Sequence, residues 1–237
     1  MQARRRARYN SPDVKERDFS QFTFRVVEAA EASGQDIDAA FSLFEMNYRQ
    51  ANRAFLEKSL HVLRYLALAE HQGAPAGFAI ADCRVMDLPR LPRQAVNLAG
   101  ICCIAPQFRR QGLFAALEGR AIGAAGVEDR SRRLSCGRMA HPAAMRILIW
   151  SPTAIPKPGV PLTPWHQEVG QAIAEAYGVY GFDPETFVCI GSGVPTGYPR
   201  IEVQVEPREW EIFRPVNRDR GDALLGMMWT PDAPPGW

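Results

Sequence analysis

NLAGICCIAPQFRRQGLFAALEGRAIGAAG, residues 97–126, sets a basic turn around one glycine between an apolar run and an alanine-rich segment. The nearly continuous run that ends at Pro106 reads as a strand covered on both faces, the central position in a sheet. The segment from Phe114 reads as a helix. A strand end, a turn rich in backbone N–H groups and a helix start together make an anion site. First-turn amides have no intrahelical acceptor, and the macrodipole is positive there. Gly112 lets the backbone approach a phosphate closely or adopt positive φ. Arg109 and Arg110 add charge-assisted hydrogen bonds of about 1.5–3 kcal/mol each. On these residues alone the turn suits any diphosphate, and equally a surface loop that starts a helix. No glycine is followed by lysine and then serine or threonine, and the three-glycine dinucleotide fingerprint is missing.

Upstream, FTFRVVEAA (22–30) alternates well enough for a first strand. Ile37, Phe41, Phe44 and Tyr48 recur at helical spacing, with Asp36 as the expected cap. RAFLEKSL continues as helix. HVLRYLALAE (61–70) and PAGFAIADCRVMDL (75–88) read as a hairpin bent at Gly73 and Pro75, and RLPRQ separates it from the central strand. Downstream, SRRLSCGRMAH reads as a strand and PAAMRILIW as a short helix with Pro142 at its first position. Strand, helices, three strands, helix, strand, helix is a mixed α/β layout.

The composition changes at Trp150. All five tryptophans and thirteen of the nineteen prolines lie from there onward. In PWHQEVGQAIAEAYG, Trp165, Val169, Ile173 and Ala176 share one face, Thr163 is placed to cap the helix and Gly178 to end it. TFVCIG, IEVQVEP, WEIFRPV and ALLGMMW read as strand-like pieces. The expected organisation is a basic arm over 1–18, a core over 19–150 and an extension over 151–237 that continues the sheet.

A net charge of +2 with 46% hydrophobic residues gives no general push toward nucleic acid or membrane. Four arginines within the first eight residues are the local exception. They read as a solvated arm, with a nucleic-acid-binding arm as the rival. No apolar core follows them, and no run of ~18 apolar residues occurs anywhere. Five cysteines without CxxC spacing indicate neither a disulfide framework nor a zinc site, so a reduced, cytoplasmic protein without a metal is expected.

CCIAPQFRRQGLFAAL resembles the acyl-CoA-binding segment of the GNAT superfamily of N-acetyltransferases. Pro106 matches the proline that ends the family's strand. Arg109, Arg110, Gln111, Gly112 and Leu113 match the first five positions of its turn. Phe114 departs from the small residue usual at the sixth. The resemblance spans the order of elements over residues 22–150 but is specific over about twenty residues. EAYGVYGFDPE is similar to the Tyr-to-Gly-Phe step that closes the family core, displaced toward the C-terminus as an insertion after Trp150 would displace it. The resemblance implies a mostly antiparallel central sheet with helices on both faces. It also implies acetyl-CoA or another acyl-CoA as donor, and direct transfer to an amine.

Such a reaction needs a base for the amine and a proton donor for the thiolate. It also needs a backbone N–H on the central strand, at Ile101, Cys102, Cys103 or Ile104, for the developing oxyanion. No carboxylate stands on that strand. His141 is the candidate base or pantetheine partner, against a helix cap or core histidine. Tyr177 and Tyr180 are the candidate acids, against packing residues. His166, Glu70 and Asp82 are weaker candidates. A nucleophilic Cys102 or Cys103 competes with the ordinary buried thiol. The rivals are an enzyme for longer acyl chains and a non-catalytic acyl-CoA-binding or interaction module. The acceptor is unnamed, and a homodimer stays open.

Overall fold

The computed structural model describes residues 18–128, 131–149, 151–195, 198–200 and 203–237. The arginines expected as an arm, and Trp150, lie outside them. β1 (Thr23–Glu28) leads through a short 3-10 turn to α1 (Gly34–Asn47), β2 (Tyr48–Arg49) and α2 (Arg53–Val62). β3 (Tyr65–His71), β4 (Ala74–Leu88) and β5 (Leu91–Ile104) follow, then α3 (Leu113–Ala124), β6 (Arg133–Met139) and α4 (Pro142–Ile149). The remainder is α5 (Pro164–Ala176), β7 (Gly181–Asp183), β8 (Val188–Ile190), β9 (Tyr198–Pro199) and β10 (Ala223–Thr230).

Eight strands form one sheet in the order β1-β3-β4-β5-β6-β10-β8-β7. β5 and β6 alone run parallel, linked through α3; every other neighbouring pair in this sheet is antiparallel. The fold is thus a mixed, mostly antiparallel α/β sheet with helices on both faces. α3 packs through Leu113, Leu117 and Ala121 on a face of small residues, Ala67, Ala69, Ala79 and Ala81. Gly77 completes that face, because a Cβ there would stand 2.9 Å from Leu117 Cδ1. The other face carries the larger core, in which Leu43 and Phe44 of α1, Leu56 of α2 and Val169 and Ile173 of α5 meet Phe78, Leu98 and Leu225 of the sheet. β10, β8 and β7 come from the proline-rich half and lie in the same sheet as the first half.

Several local expectations need correction. Ser33, not Asp36, is the N-cap of α1; its hydroxyl accepts from the Asp36 amide, while Asp36 closes the reciprocal half of a capping box. Residues 61 and 62 finish α2, and β3 starts at Tyr65. Gln72 and Gly73, both at positive φ, make the tight β3–β4 turn, so Pro75 lies within the strand. Pro89 and Arg90 alone separate β4 from β5, since Leu91 already pairs with Leu88. WEIFRPV is not a strand: a 3-10 helix occupies Pro207–Phe213. Pro207 stands in its first turn, Glu206 and Glu209 close a capping box there, and Arg146 of α4 reaches Glu209 at 2.6 Å. Residues 203–206 of IEVQVEP form no strand either.

Candidate functional site

The site grows from a defect in β5. Ala79 pairs with Cys102 and Ala81 with Ala99, so Gly100 and Ile101 together face the single Ile80. This is a bulge, and it bends the strand. Position 100 tolerates only glycine, because a Cβ would lie 2.5 Å from Leu63 Cδ1 and 2.7 Å from the Ile80 carbonyl oxygen. β6 follows β5 only as far as the Ala99–Gly137 pair, after which it pairs with β10 alone. From Gly100 onward β5 has β4 on one edge and a gap on the other.

Backbone polarity then fixes what faces the gap. Ala105 donates to the Ala76 carbonyl at 2.9 Å, and antiparallel hydrogen-bonded pairs recur every second residue. Cys103 therefore bonds Phe78, while Cys102 and Ile104 turn their N–H and C=O groups away from β4. The Ile104 carbonyl behaves accordingly, accepting from Asn47 Nδ2 at 3.2 Å and from Arg109 Nε at 3.4 Å. The Cys102 amide is left aimed at the gap.

Beyond β5, Arg110 takes φ +63° and Gly112 φ +86°, and the chain turns into α3. Gly112 is the N-cap and has no side chain with which to cap it. An open groove of about 480 Å³ runs past this start, lined by Arg109, Arg110, Gly112, Leu113 and Phe114, with Cys102 and Asn47 behind them. Arg110 and Phe114 are exposed, whereas Arg109 is held inward, donating to Asn47 Oδ1 at 3.1 Å. Gln111 is tied back to the Gln107 carbonyl. Ile101 and Cys103 point the other way, into the larger core.

Tyr177, the C-cap of α5, is buried. Its hydroxyl lies 2.8 Å from the Ala99 carbonyl oxygen and 2.9 Å from that of Cys136. Burial pushes its phenol well above the ordinary range. It ties the two strands where they part and is not placed to give up a proton. Arg84 supports it by donating to the Ala176 and Val62 carbonyls at the ends of α5 and α2. Tyr180 is 85% exposed, with Lys58 Nζ 4.3 Å above its ring.

His141 is not placed as a base. Its Nδ1 accepts from the Ala143 amide at 3.1 Å, capping α4, and its ring packs edge-on against Trp210. Burial first, then Arg218 and Arg146, hold its pKa below the usual value. The neutral imidazole has its one lone pair committed to the cap, leaving Nε2 as a donor. His166 does the same for α5, accepting from Thr163. Asp82 is buried against Arg84 at 2.7 Å. Burial raises the thiols of Cys102 and Cys103, which removes the nucleophilic alternative at neutral pH.

Glu118 is a further acidic candidate, outside the residues singled out by the sequence pattern. It lies one helical turn beyond Phe114 and Ala115 on α3, makes no hydrogen bond or ion pair among the described residues, and is raised in pKa by burial. Its charge is felt at both Cys102 of β5 and Tyr177, whose hydroxyl bridges β5 and β6. An acidic residue inside the apolar pattern LFAALEGRAIGA was the available signal. Among the described residues no group of histidine, cysteine, aspartate and glutamate could hold a metal, and no helix is long and apolar enough to cross a membrane.

No protein-family model and no curated protein matches the chain. Solved structures do. The ribosomal-protein-S18-alanine N-acetyltransferase from Escherichia coli matches at 14% identity and TM-score 0.39, covering 91% of this chain and 99% of that one. A GNAT family acetyltransferase from Brucella melitensis, in complex with acetyl-CoA, matches at 12% and 0.34, covering 48% and 75%. N-acetylglutamate synthase from Neisseria gonorrhoeae, complexed with coenzyme A and N-acetyl-glutamate, matches at 17% and 0.31, covering 48% and 25%.

Proposed function

We propose that the protein is an acyl-CoA-dependent acyltransferase of the GNAT kind, passing acetyl from acetyl-CoA to an amine at the gap between β5 and β6. The observation that carries this reading is the start of α3. Ser33, Asn52, His141 and Thr163 each cap their helix with a side-chain acceptor. Gly112 leaves the amides of Leu113, Phe114 and Ala115 open beside the exposed Arg110. Open first-turn amides, a left-handed glycine and an open groove fit a diphosphate.

The thioester supplies the acyl group and a thiolate leaving group. The Cys102 N–H stabilises the oxygen that gains charge as the amine nitrogen adds to the carbonyl carbon. Glu118 accepts the proton that the amine loses and returns it to the departing sulfur, so one carboxylate balances the transfer. Its raised pKa brings it closer to the operating pH, which suits both steps. Tyr177 keeps the strands at the spacing this requires.

Calorimetric titration with acetyl-CoA and CoA tests the reading. Binding in roughly the micromolar range is expected for the wild type, and its loss in both Gly112→Trp and the surface variant Arg110→Glu, with melting temperatures retained. A folded wild type that binds neither ligand overturns it.

A further inference from the structure

A second cavity of about 260 Å³, which Tyr177 also lines, lies between α2, the end of β6 and residues 189–194. Its walls include Phe55, Val62 and Ile190, and its polar groups include Lys58, Arg138 and Ser192. No aspartate or glutamate lines it. Lys58 and Arg138 form no ion pair or hydrogen bond among the described residues. Acidic side chains close by in sequence are committed elsewhere: Glu57 to Arg53 at 2.9 Å, and Asp222 to Arg220 at 2.6 Å. The Arg138 guanidinium carbon stands over the Tyr177 ring, 4.8 Å from its centre, and 5.9 Å from that of Phe55. A guanidinium held over an aromatic ring spends none of its N–H donors on that contact.

Two cations without an acidic partner line a largely apolar cavity, and an anionic ligand there gives both a counter-charge. We infer that this cavity is the acceptor site and selects a compact amine that also carries a carboxylate and an apolar body, the carboxylate lying between Arg138 and Lys58. The amine half of this inference rests on the acyl-transfer reading; the anion half does not. The same field disfavours an ammonium, so the acceptor's nitrogen is more readily neutral there, the form in which it attacks. The cavity volume suits an amino-acid-sized molecule.

Binding of three matched probes to the full chain without CoA tests the anion half: hydrocinnamate, hydrocinnamyl alcohol and phenethylamine. Hydrocinnamate is expected to bind best, by about tenfold, and to lose about tenfold in Lys58→Gln and in Arg138→Gln. Lys58 is exposed, so its variant keeps the test valid if Arg138→Gln fails to fold. Equal or tighter binding of the alcohol or the amine, no binding of hydrocinnamate, or indifference to both substitutions overturns the inference. In parallel, transfer from acetyl-CoA to phenylalanine should exceed transfer to phenethylamine. Hydrocinnamate selectivity without any CoA binding would sink the acyltransferase reading while leaving the anion site standing; transfer that prefers phenethylamine would do the reverse.

Discussion

Tyr177 donates its phenolic proton toward the carbonyl of Ala99, 2.8 Å away, at the last residue of β5 that pairs with β6. The same hydroxyl reaches the Cys136 carbonyl across the divide. A helix end packed on one face of the sheet thus sets where two strands of that sheet separate. Tyr177→Phe should cost about 1–3 kcal/mol, because two buried carbonyls lose a donor. Denaturant unfolding measures it. Affinity for CoA should hold while kcat falls.

Glu118→Gln separates chemistry from binding. Transfer should fall about 10²–10⁴-fold with the CoA affinity unchanged. Stability should move the other way. The folded pKa is raised above the ordinary 4.5, so the wild type carries no penalty below 4.5, where the carboxyl is protonated in both states. The penalty appears as pH rises through the folded value. The glutamine variant should therefore melt higher than wild type at neutral pH and lose that advantage in acid. An equal melting difference at every pH would contradict this.

Asp36 shows the opposite sign. Arg25, more than the Ser33 contacts, holds its pKa down to about 2. Its contribution is present above the ordinary 3.8 and is lost as pH falls toward 2. Ser33→Ala removes the hydroxyl half of the box and should cost about 1 kcal/mol at neutral pH, read from the unfolding midpoint.

Gly100→Ala tests the bulge. The new methyl meets Leu63 and the Ile80 carbonyl, and backbone cannot yield as a side chain can. A loss of about 1–3 kcal/mol is expected, with a weaker acyl-transfer rate in whatever remains folded.

How much of this was legible in the sequence follows from its physical range. Strand β5, the glycine turn and α3 were legible because continuous apolarity and helical spacing are local properties. The 3-10 helix at Pro207–Phe213 was not, since WEIFRPV alternates well enough for a strand; the capping box of Glu206 and Glu209 starts the helix just upstream, and the distant Arg146 adds an ion pair to Glu209. Tyr177 was singled out by type, as an aromatic at a helix end, yet its partners lie 78 and 41 residues away. His141 failed as a base for a local reason: its lone pair caps the helix that Pro142 begins. Glu118 was missed because a helix reads as amphipathic with or without one buried acid. Lys58 and Arg138, on α2 and β6, are brought together only by the fold.

The most direct test of the central claim is the backbone amide spectrum of the isotopically labelled protein during titration with CoA. The largest shifts are expected at Arg110, Gly112, Leu113, Phe114 and Ala115, with Cys102 joining them only when acetyl-CoA replaces CoA. Saturable binding that leaves those amides unmoved would contradict that claim.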